Sequence, residues 1–167
     1  MLNVQELIAA LDLQPLPLEG GYYRETYRSP TRLPAAALPD HYRTDKALST
    51  AIYYLLTPHT FSALHRLPTD EIFHFYLGSP VQMLQLWPDG QGRVVTLGPD
   101  VLAGQSLQVI VPRGVWQGSF LTAGGSYALL GTTMAPAFDF ADYEAGNCER
   151  LVEVYPDYAE LIRRLSP

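Results

Sequence analysis

The sequence predicts an all-β-dominated fold, an antiparallel sandwich or barrel. Between Leu48 and Met134 the chain falls into eight short runs rich in Val, Leu, Phe and Tyr, near 48–56, 61–66, 71–78, 81–87, 92–97, 107–112, 115–121 and 126–134. Turn signals separate them: Thr57-Pro58, Pro68-Thr69-Asp70, Gly78-Ser79-Pro80, Pro88-Asp89-Gly90, Gly98-Pro99-Asp100, Pro112-Arg113-Gly114 and Ala123-Gly124-Gly125-Ser126. Short strands at this spacing build sandwiches and barrels. No helical period intervenes, which argues against a parallel sheet of alternating strands and helices. The 11 Tyr and 14 Pro point the same way, towards strands and turns.

The chain opens with a short helix over about 3–13. Asn3 and Glu6 have capping-box spacing, and Val4, Leu7, Ile8 and Leu11 share one face. Pro15 and Pro17 end it. Gly20-Gly21 then marks a turn or a close backbone approach. It is not a phosphate loop, because no helix or Lys-Ser/Thr follows. The alternation in Tyr22–Arg28 reads as a strand with Tyr23, Glu25 and Tyr27 on one face and Tyr22, Arg24 and Thr26 on the other. Residues 30–47 carry Pro30, Pro34 and Pro39 and little periodicity, so they read as a long loop that could cover a site.

After the strand region, Phe138–Tyr143 reads as a polar-aromatic connector. Asn147 caps a helix to about Tyr155. Pro156 opens a second one with Tyr158, Leu161, Ile162 and Leu165 on one face. Both helices are expected to pack outside the barrel. Cys148, at the start of the first, reads as a packed or surface thiol, since no His or Lys lies beside it.

The chemistry concentrates in Ser62–Gly78, two strands joined by a polar bend. His65, Glu71 and His74 stand among Phe, Leu and Tyr, where titratable groups are costly unless paired, liganded or facing a wet pocket. Strand parity groups His65 with Phe61, Ala63 and Leu67, and Glu71 with Phe73 and Phe75. If both faces point inward, His65 and Glu71 meet inside the barrel and His74 falls outside. Alone, each would read as a satisfied core histidine or a strand-end carboxylate; together they favour a pocket. Arg66 and Asp70 flank the bend as solvated groups. A second stretch, Pro112–Ser119, turns at Arg113-Gly114 and carries Gln117. A buried amide there needs partners, either across the strand or on a ligand.

His65-x-Leu67-x-x-x-Glu71, followed by Gly78, resembles the first cupin motif, and Pro112-x-Gly114-x-x-Gln117 resembles the second. Glu19–Arg28, Ser49–Leu56, Ser62–Arg66, Val115–Gln117 and Ala135–Asp142 are similar to peptides of the cupin-5 group, formerly a domain of unknown function. The resemblance runs from about residue 3 to residue 165. It implies an RmlC-like jelly roll (double-stranded β-helix), a single cupin domain over 1–167, a small-molecule pocket at the barrel mouth and a homodimer. The Tyr-rich strand 21–28 is the element expected to pair or exchange between subunits. Metal-binding cupins carry two His and a Glu in the first motif and a His in the second. Here Leu67 and Gln117 replace two of those histidines. No cofactor is therefore expected; a weakly held divalent ion on His65, Glu71 and Gln117 is the alternative.

Three functional readings remain open. The first is a metal-independent isomerase, epimerase or lyase on a small polar, sugar- or nucleotide-like molecule. In it, the catalytic residues are His65, the general base or acid, and Glu71, which with burial tunes it, while Gln117 and a Tyr hydroxyl orient substrate or stabilise an enolate-like oxygen. The second is a binding module using the same pocket, with Tyr22, Arg24, Trp87 and Trp116 on its wall or rim. The third is a metalloenzyme with a degenerate site. Ser126 has no nucleophile-elbow context, which weakens hydrolase readings. A formal charge of −6 without a Lys/Arg cluster argues against nucleic acid and anionic membrane surfaces. The single cysteine and the absence of a signal-peptide pattern at Met1–Glu6 suggest the cytoplasm.

Overall fold

The computed structural model describes residues 3–167. Of the Met1–Glu6 stretch, Met1 and Leu2 lie outside these residues. Chain order is α1 Val4–Leu11, β1 Gln14–Pro15, β2 Tyr22–Arg28, β3 Arg32–Leu33, β4 Lys46–Ala47, β5 Thr50–Leu56, β6 Phe61–Arg66 and β7 Glu71–Gly78. It continues with β8 Val81–Leu86, β9 Gly92–Leu97, β10 Gln108–Val111, β11 Trp116–Leu121, β12 Ala128–Met134, β13 Glu144–Ala145, α2 Cys148–Val154 and α3 Ala159–Arg164.

One antiparallel sheet runs β1-β2-β5-β12-β7-β10 and the other β13-β6-β11-β8-β9. Strands β5 to β12 thus cross between sheets at every step but β8 to β9, the order of an eight-stranded jelly roll, and they are the eight runs read from the sequence. The elements outside this roll dress its two faces and its mouth.

Inward residues divide the interior into two halves. Phe73, Phe75, Val81, Met83, Leu97, Val109, Leu121 and Leu130 pack a continuous apolar plug. Above it, at the end where β6 leaves and β7 enters, the inward positions are His65, Glu71, Gln117 and Thr132, all buried. Burial of the plug drives closure of the roll. The polar half cannot close the same way and must satisfy its groups individually.

The helix α1 follows its sequence signals. Asn3 accepts from the Glu6 N–H and Glu6 accepts from the Asn3 N–H, completing the capping box. Its terminator is Asp12, in the left-handed region at φ 51, rather than the prolines that follow. Its apolar face covers Leu55, Tyr22, Leu77 and Leu129 on the outer face of the six-stranded sheet. The helices α2 and α3 seal the outer face of the other sheet, placing Leu151, Ile162 and Leu165 on Leu64, Leu84, Leu86 and Phe120. Cys148 is part of that packing, as a partly buried thiol. Pro156 opens a 3-10 turn that leads into α3.

Two sequence expectations are corrected here. Residues 30–47 are not featureless: β3 and β4 pair, and a 3-10 turn spans Ala35–Ala37. The facing of β6 is also different. Gln117 pairs with His65 while Ser119 pairs with Ser62, so β6 carries an extra residue between them. That bulge puts Ser62 and His65 on one face and leaves Phe61 and Leu64 packed outside. His65 points inward as expected, but not in company with Phe61. Among the described residues, no helix is long and apolar enough to cross a membrane.

Candidate functional site

A cavity of about 280 Å³ opens at the polar end of the roll. β2 contributes Tyr23, Glu25 and Arg28; β5 contributes Thr50 and Ile52; β12 contributes Thr132 and Met134. A register shift between Glu25 and Tyr27 rotates Tyr27 out to solvent and brings Arg28 onto the cavity face. Leu16, Glu19, Leu67 and Glu71 form further walls, and Phe138, Asp139, Phe140 and Tyr143 form a strap across it.

Glu71 is 7% exposed, and its Oε2 accepts a 2.6 Å hydrogen bond from the Gln117 amide. Burial pushes this carboxyl above the usual range, and the negative charge of Glu19 pushes it further. His65, Gln117 and the Thr132 hydroxyl pull the other way without prevailing. Gln117 on β11 thus reaches Glu71 on β7 from the opposite sheet, a partnership across the barrel rather than between neighbouring strands.

Glu19 was not singled out from sequence, yet it shapes the site. Gly20 and Gly21 have φ of +97° and +74°, and a Cβ on Gly20 would sit 2.5 Å from the Phe61 carbonyl oxygen. Only glycine allows this approach. It lets the Glu19 carbonyl accept the Ala63 N–H at 2.8 Å, anchoring the turn to the bulged part of β6. The side chain then turns inward, where its Oε1 accepts a 2.7 Å bond from the Ser62 hydroxyl. Its Oε2 lies 3.8 Å from His65 Nε2.

His65 is 1% exposed and does not itself line the cavity. Its Nδ1 is 2.8 Å from the Ala63 carbonyl, which can only accept, so Nδ1 carries the proton and Nε2 faces Glu19. The ring stacks on Tyr143, centroids 4.9 Å apart. The Tyr143 hydroxyl is buried with no hydrogen-bond partner among the described residues. Burial, then the charge of Glu19, holds this phenol well above its ordinary value. Below the site, the fully buried Tyr54 hydroxyl donates to the Gly20 carbonyl and is raised by the same two causes.

An ion network holds the strap. Lys46, 1% exposed, donates to Asp139 at 2.8 Å and to Asp142 at 2.6 Å. Burial works to lower this ammonium, but the two carboxylates outweigh it and hold it above its ordinary value. Arg28 grips Glu25 through two bonds of 2.9 and 3.0 Å and donates to the Phe138 carbonyl. Replacing Lys46 with methionine keeps the stem and deletes the charge. It is expected to destabilise the protein by about 1–3 kcal/mol, less than a fully buried pair because both carboxylates retain solvent contact. Hydrogen exchange at 138–143 should accelerate; unchanged protection there would show that the strap is held by packing alone.

The structure therefore brings together His65, Glu71 and Gln117 and adds Glu19, Tyr143, Glu25 and Arg28. It does not bring four other sequence-derived candidates to the cavity. Tyr22 faces α1, and the Arg24 guanidinium lies over the Tyr53 ring on the outer sheet face. Trp116 packs outside with Arg66 over its ring at 4.5 Å, and Trp87 packs against the plug with Arg93 over its ring. Parity places Tyr22, Arg24 and Trp116 off the cavity face, while Trp87, just past β8, is spent on the apolar plug and does not line the cavity. Arg66 pairs with Glu144, and Asp70 accepts the Arg113 N–H, so neither is simply solvated. His74 lies outside, against Thr133 and Gln108. Beyond the family-like peptides Glu19–Arg28 and Ala135–Asp142, the sequence signal for Glu19 was its glycine pair and that for the strap its aromatic content.

The cupin metal position does not fit a first-row metal ion here. It offers one imidazole, whose Nε2 faces Glu19, one carboxylate tied to an amide, and Leu67 in place of a ligand. Among the described residues, no three His, Cys, Asp or Glu groups are placed to hold such an ion.

Comparison with known proteins agrees with this architecture. The chain is 32% identical over 133 residues to an uncharacterised protein of Saccharomyces cerevisiae, YML079W, covering 75% of this chain and 66% of that one. It thus spans slightly under two thirds of that relative's length. A hypothetical protein from Leishmania major superposes with a TM-score of 0.87 at 31% identity, over 99% of both chains. Protein SO0799 from Shewanella oneidensis gives 0.86 at 34%, over 100% of this chain and 99% of that one. Bacillus subtilis oxalate decarboxylase shares the fold alone, with TM-scores of 0.53 to 0.54 at 14–15% identity, over 92% of this chain and 37% of that one. The model of the family described as Cupin superfamily (DUF985) matches residues 5–146, and the chain belongs to that family.

Proposed function

We propose that this cupin binds a small polar molecule in the barrel cavity and moves a proton on it without a metal, as an isomerase or epimerase does. The observation that carries this reading is the pairing of a raised, buried carboxyl with a second carboxyl in one cavity. Glu71 and Glu19 both line it, and Glu71 is pushed up partly by Glu19. Two titratable groups with unlike environments divide the roles of acid and base. Glu71 holds the proton to be given. Glu19 takes the substrate proton, and His65, buried behind it at 3.8 Å, is a positioning residue. The sequence assigned the acid/base role to His65 directly; its burial behind Glu19 favours this revised division.

Size and charge narrow the ligand. Drug-sized ligands occupy roughly 300–1,000 Å³, so about 280 Å³ suits a single ring rather than a nucleotide. Arg28 is already committed to Glu25, while Glu19 presents acceptor atoms, which favours hydroxyl or amino donors. The Tyr143 hydroxyl supplies an unspent donor for a substrate oxygen.

A panel of monosaccharides, amino sugars and nucleotides, scored by thermal stabilisation and then calorimetry, tests the assignment. Single-ring compounds should bind and nucleotides should not. Tyr143→Phe should weaken binding about tenfold, the equivalent of one hydrogen bond. Equal affinity in that variant, or stabilisation by nucleotides alone, would count against this ligand class.

We also propose a cytoplasmic homodimer. β1 pairs only with Tyr22 and Tyr23, leaving the β2 edge beyond them open for a partner strand. Light scattering should give twice the chain mass, and a monomer at micromolar concentration would contradict the assignment.

A further inference from the structure

A second cleft opens at the same end of the roll, with Leu67 contributing to both it and the cavity. Arg43, Arg66, Arg113 and His41 line it, together with Asp142 and Glu144. This is an uneven share of the cations in a chain with only 11 Lys and Arg and a formal charge of −6. The two acids are already engaged, Asp142 with Lys46 at 2.6 Å and Glu144 with Arg66 at 2.7 Å. Arg43 and Arg113 have no carboxylate within ion-pair distance among the described residues.

The third donor is His41. An arginine can only donate, so the 3.2 Å contact from Arg113 Nη1 makes His41 Nδ1 the acceptor and leaves the proton on Nε2. That Nε2–H is buried and has no partner among the described residues. Arg113 is fixed from its backbone side as well, where its N–H donates to Asp70 at 2.8 Å. The Arg43 guanidinium and the N–H groups of Arg113 not spent on His41, with the unspent His41 N–H, match the lone pairs of a tetrahedral oxyanion, which arginine recognises through paired hydrogen bonds.

We propose that this cleft is a binding site for a phosphate group, held by Arg43, Arg113 and His41. It stands independently of the chemistry assigned to the cavity. The phosphate could be carried by the ring that fills the cavity, across Leu67, or by a separate small effector.

Titration of the full-length protein with inorganic phosphate, at constant ionic strength, should give saturable amide and side-chain NMR shifts centred on His41, Arg43 and Arg113. Arg43→Gln and Arg113→Gln should each weaken binding at least tenfold, while Arg163→Gln, on α3 at the far surface, should not. A monosaccharide phosphate that binds at least tenfold tighter than inorganic phosphate, and loses that gain in Tyr143→Phe, assigns both sites to one ligand. Equal affinity for the two assigns a separate effector; either result upholds the site. Non-saturating shifts, or equal weakening by all three arginine variants, would reduce the effect to general screening and overturn the proposal.

Discussion

Replacing Glu71 with glutamine is expected to leave the fold intact and to slow proton transfer by about 10²–10⁴-fold, the usual loss when a general acid is removed. The amide has nearly the shape of the carboxyl and can keep a hydrogen bond to Gln117 after that amide reorients. Stability should move in the opposite direction to activity. The folded-state pKa of Glu71 is raised, so its contribution to stability is full below the unfolded value, near about 4.3, and is lost as pH rises through the folded value. The stability of the native protein relative to Glu71→Gln should therefore fall with rising pH across that window, by at most about 1.4 kcal/mol per pH unit. Paired denaturant titrations at several pH values read this directly. A difference that grows with pH would mean that Glu71 is ionised comfortably, and the acid role would go with it.

The second large effect is on the turn that delivers Glu19. Gly20→Ala adds a Cβ 2.5 Å from a backbone carbonyl at φ +97°, and neither the carbonyl nor the dihedral can yield without moving β6. The left-handed conformation costs about 1–2 kcal/mol and the overlap about 1–3 more. A loss of about 3 kcal/mol corresponds to roughly 6–12 °C in Tm for a chain of this size. Ligand affinity should fall with it, because the Glu19–Ala63 and Glu19–Ser62 bonds position the carboxylate. A Tm within 2 °C of the native protein would show that the turn can relax and that the glycine pair is not what places Glu19.

The jelly roll was legible because each of its eight strands is bounded by Gly, Pro or Asp turn chemistry, which is local. The runs at 61–66, 71–78 and 92–97 match β6, β7 and β9 at both ends, and 107–112 brackets β10 by one residue each side. The meeting of His65, Glu71 and Gln117 was legible through strand parity for the same reason. What failed depended on distant backbone. The bulge in β6 is set by its pairing with β11, and it changes which residues accompany His65. Glu19 reaches the site only because its loop is tied to Ala63, 44 positions away in sequence. Lys46 and the strap meet across more than 90 positions, joined by charge rather than by any periodic pattern. The tryptophans misled because a large aromatic on a strand reads equally as pocket wall or as packing, and here α2, the plug and stacked arginines claim them.

The central claim is that this cavity performs proton chemistry rather than mere retention. The most direct measurement is mass spectrometry of a cavity-binding compound after incubation with the protein in D2O. Deuterium should enter one carbon-bound position of the native protein's ligand, and incorporation should drop by at least about a hundredfold with Glu71→Gln. A compound that binds in the cavity, is displaced by Tyr143→Phe, and is recovered without label after prolonged incubation would contradict the claim and leave a binding module.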